Sequence, residues 1–180
     1  SAYDLSKRRS NLSILPPYDG KAFSSFVETI YNMHGYIEHC REEYVLISQG
    51  NVITNIDYTD VFDFHSKKKA DITLIYKNHA IPQGYDRPIT LDVDNDGKVN
   101  QIFVKPGVVD KGVFNHAYGS ILIKKDLLMS EIRNAISVNQ LDVRRLIQSS
   151  LGKYSIYAYE NKGYCAAISS INDYFEFNMD

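Results

Sequence analysis

Apolar residues Phe26, Val27, Ile30, Tyr31, Met33 and Ile37 recur at helical spacing, which predicts one helix running from Phe23 to about Cys40. Tyr44, Val45, Leu46, Ile47 and Ser48 then read as a short buried strand that ends in Gln49-Gly50-Asn51. Asp57, with Asp60 three residues on, resembles a capping box, and Val61, Phe62, Phe64 and His65 supply the buried face of a second helix ending near Lys69. Ile72 to Tyr76 is the next strand. Strand, helix, strand in this order predicts a βαβ unit and a parallel sheet covered on both faces.

Beyond it, two extended runs in "ITLDVDNDGKVNQIFVKP" are joined by Asn95-Asp96-Gly97, a strong hairpin signal. Ser120 to Ile123 reads as a short strand, and Lys125 to about Val138 and Val143 to Ser149 as helices. "YSIYAYE" and "YCAAIS" are strand-like, and "SINDYFEFNMD" reads as a terminal helix. Residues 1 to 20 are polar and carry Pro16-Pro17, an irregular lead-in. With no internal repeat or linker, residues 1–180 are read as a single domain.

Composition narrows the function classes. A net charge of -2, from 20 basic and 22 acidic residues, argues against nucleic acid as a partner reached through bulk electrostatics. Lys67, Lys68 and Lys69 form a short run where a helix end favours cations. No apolar run approaches the ~18 residues of a membrane-spanning helix. Cys40 and Cys165 make no metal-type spacing and suit a reducing compartment, so the expected location is cytoplasmic.

Several motifs have plain readings. Asp92, Asp94, Asp96 and Gly97 match the first half of a calcium loop, but Phe103 stands where a bidentate Glu is required, so a hairpin turn is expected. His34, His39, His65, His79 and His116 are scattered and read as satisfied or surface histidines. Ser24, Ser25, Ser169 and Ser170 lie in no nucleophile context, and no glycine-rich phosphate loop occurs. Asn51, at the carboxyl end of a strand where open α/β sheets place ligands, stays open among three roles. It is a binding amide, a turn residue in left-handed geometry after Gly50, or the replacement of a needed carboxylate.

Four stretches taken together resemble the nucleotidyltransferase domain of the glucose-1-phosphate adenylyltransferase family. They are "YVLISQGNVITNIDYTDVFDFHSKKKADITLIYK", "VDNDGKVNQIFVKP", "NHAYGSILI" and "IYAYENKGYCAAISSINDYFEFNMD". "LPPYDG" and the close at "NMD" resemble the divergent D-type subunit of that family. The resemblance implies a Rossmann-like nucleotidyltransferase fold, a mixed and mostly parallel sheet flanked by helices. It further implies a central fragment without the family's amino-terminal nucleotide loop and C-terminal β-helix.

The family joins ATP and glucose 1-phosphate into ADP-glucose and pyrophosphate, using magnesium held by two aspartates. By the resemblance those positions fall on Asn51 and Ala167, so both anionic ligands are replaced and no intact catalytic residue or bound metal is expected. The sugar-phosphate positions are implied at Phe23, Lys105 and Gly119, while Val104 loses a sugar-binding Glu and Ile89 a Gly. Of the stretch from Ala22 to Glu28, the aromatic Phe23 and the acid of Glu28 survive. The implied role is a non-catalytic regulatory or assembly subunit that forms a hetero-oligomer with a catalytic homologue in glycogen biosynthesis. The alternatives are an active adenylyltransferase and a sugar-phosphate sensor built on Lys105.

Overall fold

The computed structural model describes residues 25–80, 88–104 and 112–168, together with Ile171, Tyr174 and Phe175. Its elements in chain order are α1 (Phe26–Asn32), α2 (His34–His39), β1 (Tyr44–Ile47), β2 (Val52–Thr54), α3 (Tyr58–Lys68), β3 (Ile72–Ala80) and β4 (Ile89–Val93). There follow β5 (Val99–Val104), β6 (Val113–Lys124), α4 (Lys125–Ser137), α5 (Val143–Ser150), β7 (Ile156–Glu160) and β8 (Cys165–Ala167).

Period-two alternation in the central strands explains the layers. Leu74, Ile121 and Ile123 enter one core with Val27 of α1, Leu128 and Ile132 of α4 and Ile147 of α5. The intervening Ile75 and Leu122 face the other side and meet Val61 of α3, with Tyr44 and Tyr159 packed around them. Helices therefore cover both sheet faces, and each fully buried aliphatic side chain contributes roughly 1.5–3 kcal/mol. His65 is a core histidine satisfied at one nitrogen: Nδ1 lies 2.8 Å from Thr73 Oγ1, Nε2 is buried without a hydrogen-bond partner, and burial, reinforced by Lys124, holds its pKa below the usual value.

The sheet is mixed, in the order β5-β4-β6-β3-β7, with β1 also paired to β6. Four strands, β1, β3, β4 and β7, point one way, yet the β3–β7 ladder is the parallel one among those described. The expected parallel contact between β1 and β3 is not made, because β6 lies between them and pairs antiparallel with both. β6 itself spans 12 residues where a short strand at Ser120 to Ile123 is expected. Its length is hidden in the sequence because Phe114 to Gly119 carries mixed polar and small residues rather than an apolar run.

Other expectations need similar adjustment. The first helix is two, broken at Met33, whose φ of -89° and ψ of 4° leave helical geometry; His34 Nδ1 then bonds the Tyr31 carbonyl at 2.8 Å. Asp57 caps α3 by accepting from Thr59 N–H at 2.8 Å, without the reciprocal bond from Asp60. Phe62 is 41% exposed and touches Tyr44 edge-on rather than filling the core, and Leu46 makes β1 half-buried. The hairpin forms as read: Asp94 accepts from the N–H groups of Asp96 and Lys98, and Gly97 takes φ +86°. Most of the terminal stretch "SINDYFEFNMD" lies outside the described residues.

Candidate functional site

Asn51 follows the carboxyl end of β1, in a tight turn closed by Val52 N–H donating to the Gln49 carbonyl at 3.3 Å. Among the described residues, the non-glycine positions with positive φ are Lys69 and Asn139, so Asn51 does not take the left-handed conformation considered for it. Instead it is tied across the chain. Its Nδ2 donates to the Ile168 carbonyl at 3.1 Å, and its own carbonyl accepts from Ile168 N–H at 2.8 Å.

That double bond begins a short antiparallel pair in which Val52 stands opposite Ala167 and Thr54 opposite Cys165. Asn51 and Ala167, 116 positions apart in the chain by their numbers, thus become neighbours across one small sheet. Ala167 is 7% exposed and offers a methyl group. Asn161, at the end of β7, fastens this sheet to the main one. Its N–H donates to the Tyr76 carbonyl at 2.8 Å, its Nδ2 to Thr54 Oγ1 at 2.8 Å, and its Oδ1 accepts from Gly163 N–H at 2.9 Å.

The donor set around Asn51 and Ala167 is neutral. Ser48, Gln49, Asn51, Thr54, Ser120 and Asn161 bring hydroxyls and amides, and no group of three or more His, Cys, Asp or Glu is placed to hold a metal among the described residues. The nearby charge is a cation: Lys77 Nζ donates to the Gly163 carbonyl and opposes the rise that burial gives the Cys165 thiol pKa. A hard divalent cation wants anionic oxygens, so these residues do not fit magnesium.

Of the positions that the resemblance implies for a sugar phosphate, Phe23 and Lys105 lie outside the described residues. Glu28 is occupied in the capping box of α1, where its Oε2 accepts from Ser25 N–H at 2.8 Å. Gly119 sits in β6 with φ +78°, at the bulge where the β3–β6 register shifts between Ile75 and Tyr76. Between the small sheet and β6, a cavity of about 10 Å³ lined by Thr54, Tyr118, Ser120, Asn161 and Cys165 holds a water at most. A cleft of about 690 Å³ runs from Asn161 and Gly163 to the start of α3 and the β4–β5 turn. Its Asp57 and Asp94 cap local backbone and its Asp96 pairs with Lys68, while Asp60, Glu160 and Lys162 also line it.

Sequence reading missed one constellation. His79, His116 and Tyr118 stack together, with ring centroids 4.3 to 5.6 Å apart and Tyr118 Oη 2.5 Å from His79 Nε2. They meet because β3 and β6 run antiparallel over their full length, a pairing no local pattern announces.

A mixed sheet flanked by helices on both faces is consistent with a nucleotidyltransferase domain. More particularly, the whole chain is similar to curated glucose-1-phosphate adenylyltransferases. It is 28% identical to that of Clostridium acetobutylicum, with all of this chain and 49% of the relative aligned. The Bacillus subtilis enzyme is 27% identical with the same coverage, and that of Lachnospira eligens 25% identical over 99% of this chain and 43% of its own length. The chain therefore spans about half the length of the relatives it matches. No family model matches it. Among the described residues, no helix is long and apolar enough to cross a membrane.

Proposed function

We propose that this chain belongs to a D-type subunit of a glucose-1-phosphate adenylyltransferase that does not turn over by itself. It assembles with a catalytic homologue in glycogen synthesis and adjusts that partner's activity. The observation carrying this reading is the pairing of Asn51 with Ile168 beside Ala167. The two positions where the family resemblance implies metal-binding carboxylates lie one step out of register across the small sheet, and they supply a neutral amide, whose Nδ2 donates to the Ile168 carbonyl, and a methyl group. Neither side chain has the charge to gather a divalent cation against a transferring phosphoryl group.

The test uses the purified full-length protein with ATP, glucose 1-phosphate and magnesium, alone and mixed with a catalytic homologue. Pyrophosphate release should stay at background for the protein alone, and the mixture should differ from the homologue's own rate or effector response. Release by the protein alone at the homologue's rate would overturn the reading in favour of an active enzyme.

A further inference from the structure

The cleft of about 690 Å³ has a ligand-sized volume, and its walls are tied to one another. Its floor is the end of β7. The tip of the β4–β5 hairpin is fastened to that strand, where Ala158 N–H donates to the Gly97 carbonyl at 2.8 Å and Lys98 bridges Tyr157. The other wall is α3, whose Asp60, Phe64 and Lys68 recur every four residues and line the cleft as one stripe of acid, aromatic ring and cation.

One end of this stripe already holds a cation. Lys68 Nζ lies 5.9 Å from the ring centroid of Phe64 and 5.7 Å from that of Tyr157 while it pairs with Asp96. A cation between a carboxylate and aromatic rings is thus a binding mode that the cleft displays with its own side chain. The other end has the same kinds of group without that partner. Half-buried Tyr76 and Tyr159 line it with Asp57, Asp60 and Glu160, and neither Asp60 nor Glu160 has an ion pair among the described residues. Burial, then Asp60 and Asp57, raises the pKa of Tyr159, and burial, then Glu160, raises that of Tyr76, so the carboxylates bear on both phenols. Among the described lining residues the cations are Lys68, spent on Asp96, and Lys162, so the cleft keeps an excess of negative charge.

We propose that this cleft docks an arginine-bearing segment of a partner protein, whose guanidinium is received by Asp60 and Glu160 against the tyrosine rings. The charge sets the sign of the occupant, since a nucleotide or sugar phosphate would enter against the carboxylates. A bare metal ion fits poorly, because no group of three or more His, Cys, Asp or Glu is placed to hold one among the described residues. A planar guanidinium uses both kinds of wall at once, hydrogen-bonding carboxylates while it stacks on a ring, which is why arginine is enriched at protein interfaces. The inference rests on the proposed reading of the chain as an assembling subunit, for which it supplies a contact surface and the chemistry of the partner.

Two measurements on the full chain test it. In an NMR titration, the capped peptide acetyl-Gly-Arg-Arg-Gly-amide should shift the backbone amide signals of Asp60, Tyr159 and Gly163, and the same peptide with citrulline for arginine should not. Asp60→Asn with Glu160→Gln, which leaves the Asp57 cap of α3 in place, should weaken the arginine peptide about tenfold. In mixtures with a catalytic homologue, sedimentation should show that double variant associating more weakly, whereas Glu42→Gln with Glu43→Gln, which removes the same charge outside the cleft, should associate as the parent does. Peptide binding that is undetectable, that persists in the cleft variant or that citrulline matches would overturn the docking site, and so would equal weakening by both pairs of substitutions. Peptide binding without any association with the homologue would instead count against the assembly reading, and turnover by the parent alone against the non-catalytic one.

Discussion

Asn51 and Ile168 hold each other through two hydrogen bonds, side-chain amide to carbonyl at 3.1 Å and N–H to carbonyl at 2.8 Å. The first commits one of the amide's two N–H donors to protein. The second belongs to the backbone and survives any substitution. Asn51→Ala should therefore lower stability by only about 0.5–1 kcal/mol, since the exposed Ile168 carbonyl can turn to water. Urea titration measures it, and a loss several times larger would mean that Asn51 organises more than this turn.

Restoring the charge is the sharper experiment. Asn51→Asp with Ala167→Asp puts carboxylates at two positions one step out of register across the small sheet, one of them now 7% exposed. In chelator the double variant should melt below the parent, because like charges repel and one is partly desolvated. Millimolar magnesium should return part of that loss and leave the parent's melting unchanged. A double variant indifferent to magnesium would show that residues beyond these two positions prevent binding.

His116 is fully buried between Thr90 of β4 and the ring of Tyr118, and burial, then the neighbouring His79, lowers its pKa from 6.5 to about 4. The unfolded chain takes up a proton near 6.5 while the folded chain resists until about pH 4, so stability falls as pH drops between these values. Its contribution is at most about 3 kcal/mol, and His65, also lowered, adds in the same direction. Urea midpoints taken between neutral and mildly acidic pH should decline, and His116→Phe should flatten the decline. An equal slope in both proteins would place the acid sensitivity elsewhere.

Two glycines should respond oppositely to alanine. Gly97 has φ +86° in the hairpin turn, and an added Cβ would lie 3.2 Å from Phe64 Cζ and 3.4 Å from the Ala158 carbonyl oxygen. Gly97→Ala should cost about 1–2 kcal/mol. Gly50 is outside the positive-φ glycines and has nothing within 4 Å of such a Cβ. Gly50→Ala should be neutral or stabilising by up to about 1 kcal/mol, through reduced freedom of the unfolded chain. Thermal melts of the pair settle it, and an equal loss at both would contradict the turn geometry.

The elements were legible wherever a local signal carried them. Asp57 before an apolar-periodic segment marks the start of α3, Asn95-Asp96-Gly97 marks the hairpin, and Leu74 and Ile75 mark a strand buried on both faces. Capping, turn formation and side-chain alternation are satisfied within a few residues, so the sequence determines them alone. The suspicion attached to Asn51 and Ala167 came through the family resemblance, which implies carboxylates at both, joined to the preference of hard cations for anionic oxygens. Tertiary structure decided the rest. The insertion of β6 between β1 and β3, the meeting of His79 with His116 and the hydrogen bond from Ala158 to Gly97 each depend on which strands pair and in what register. Pairing is chosen by the burial of whole faces over long chain separations, a free energy that no short stretch contains.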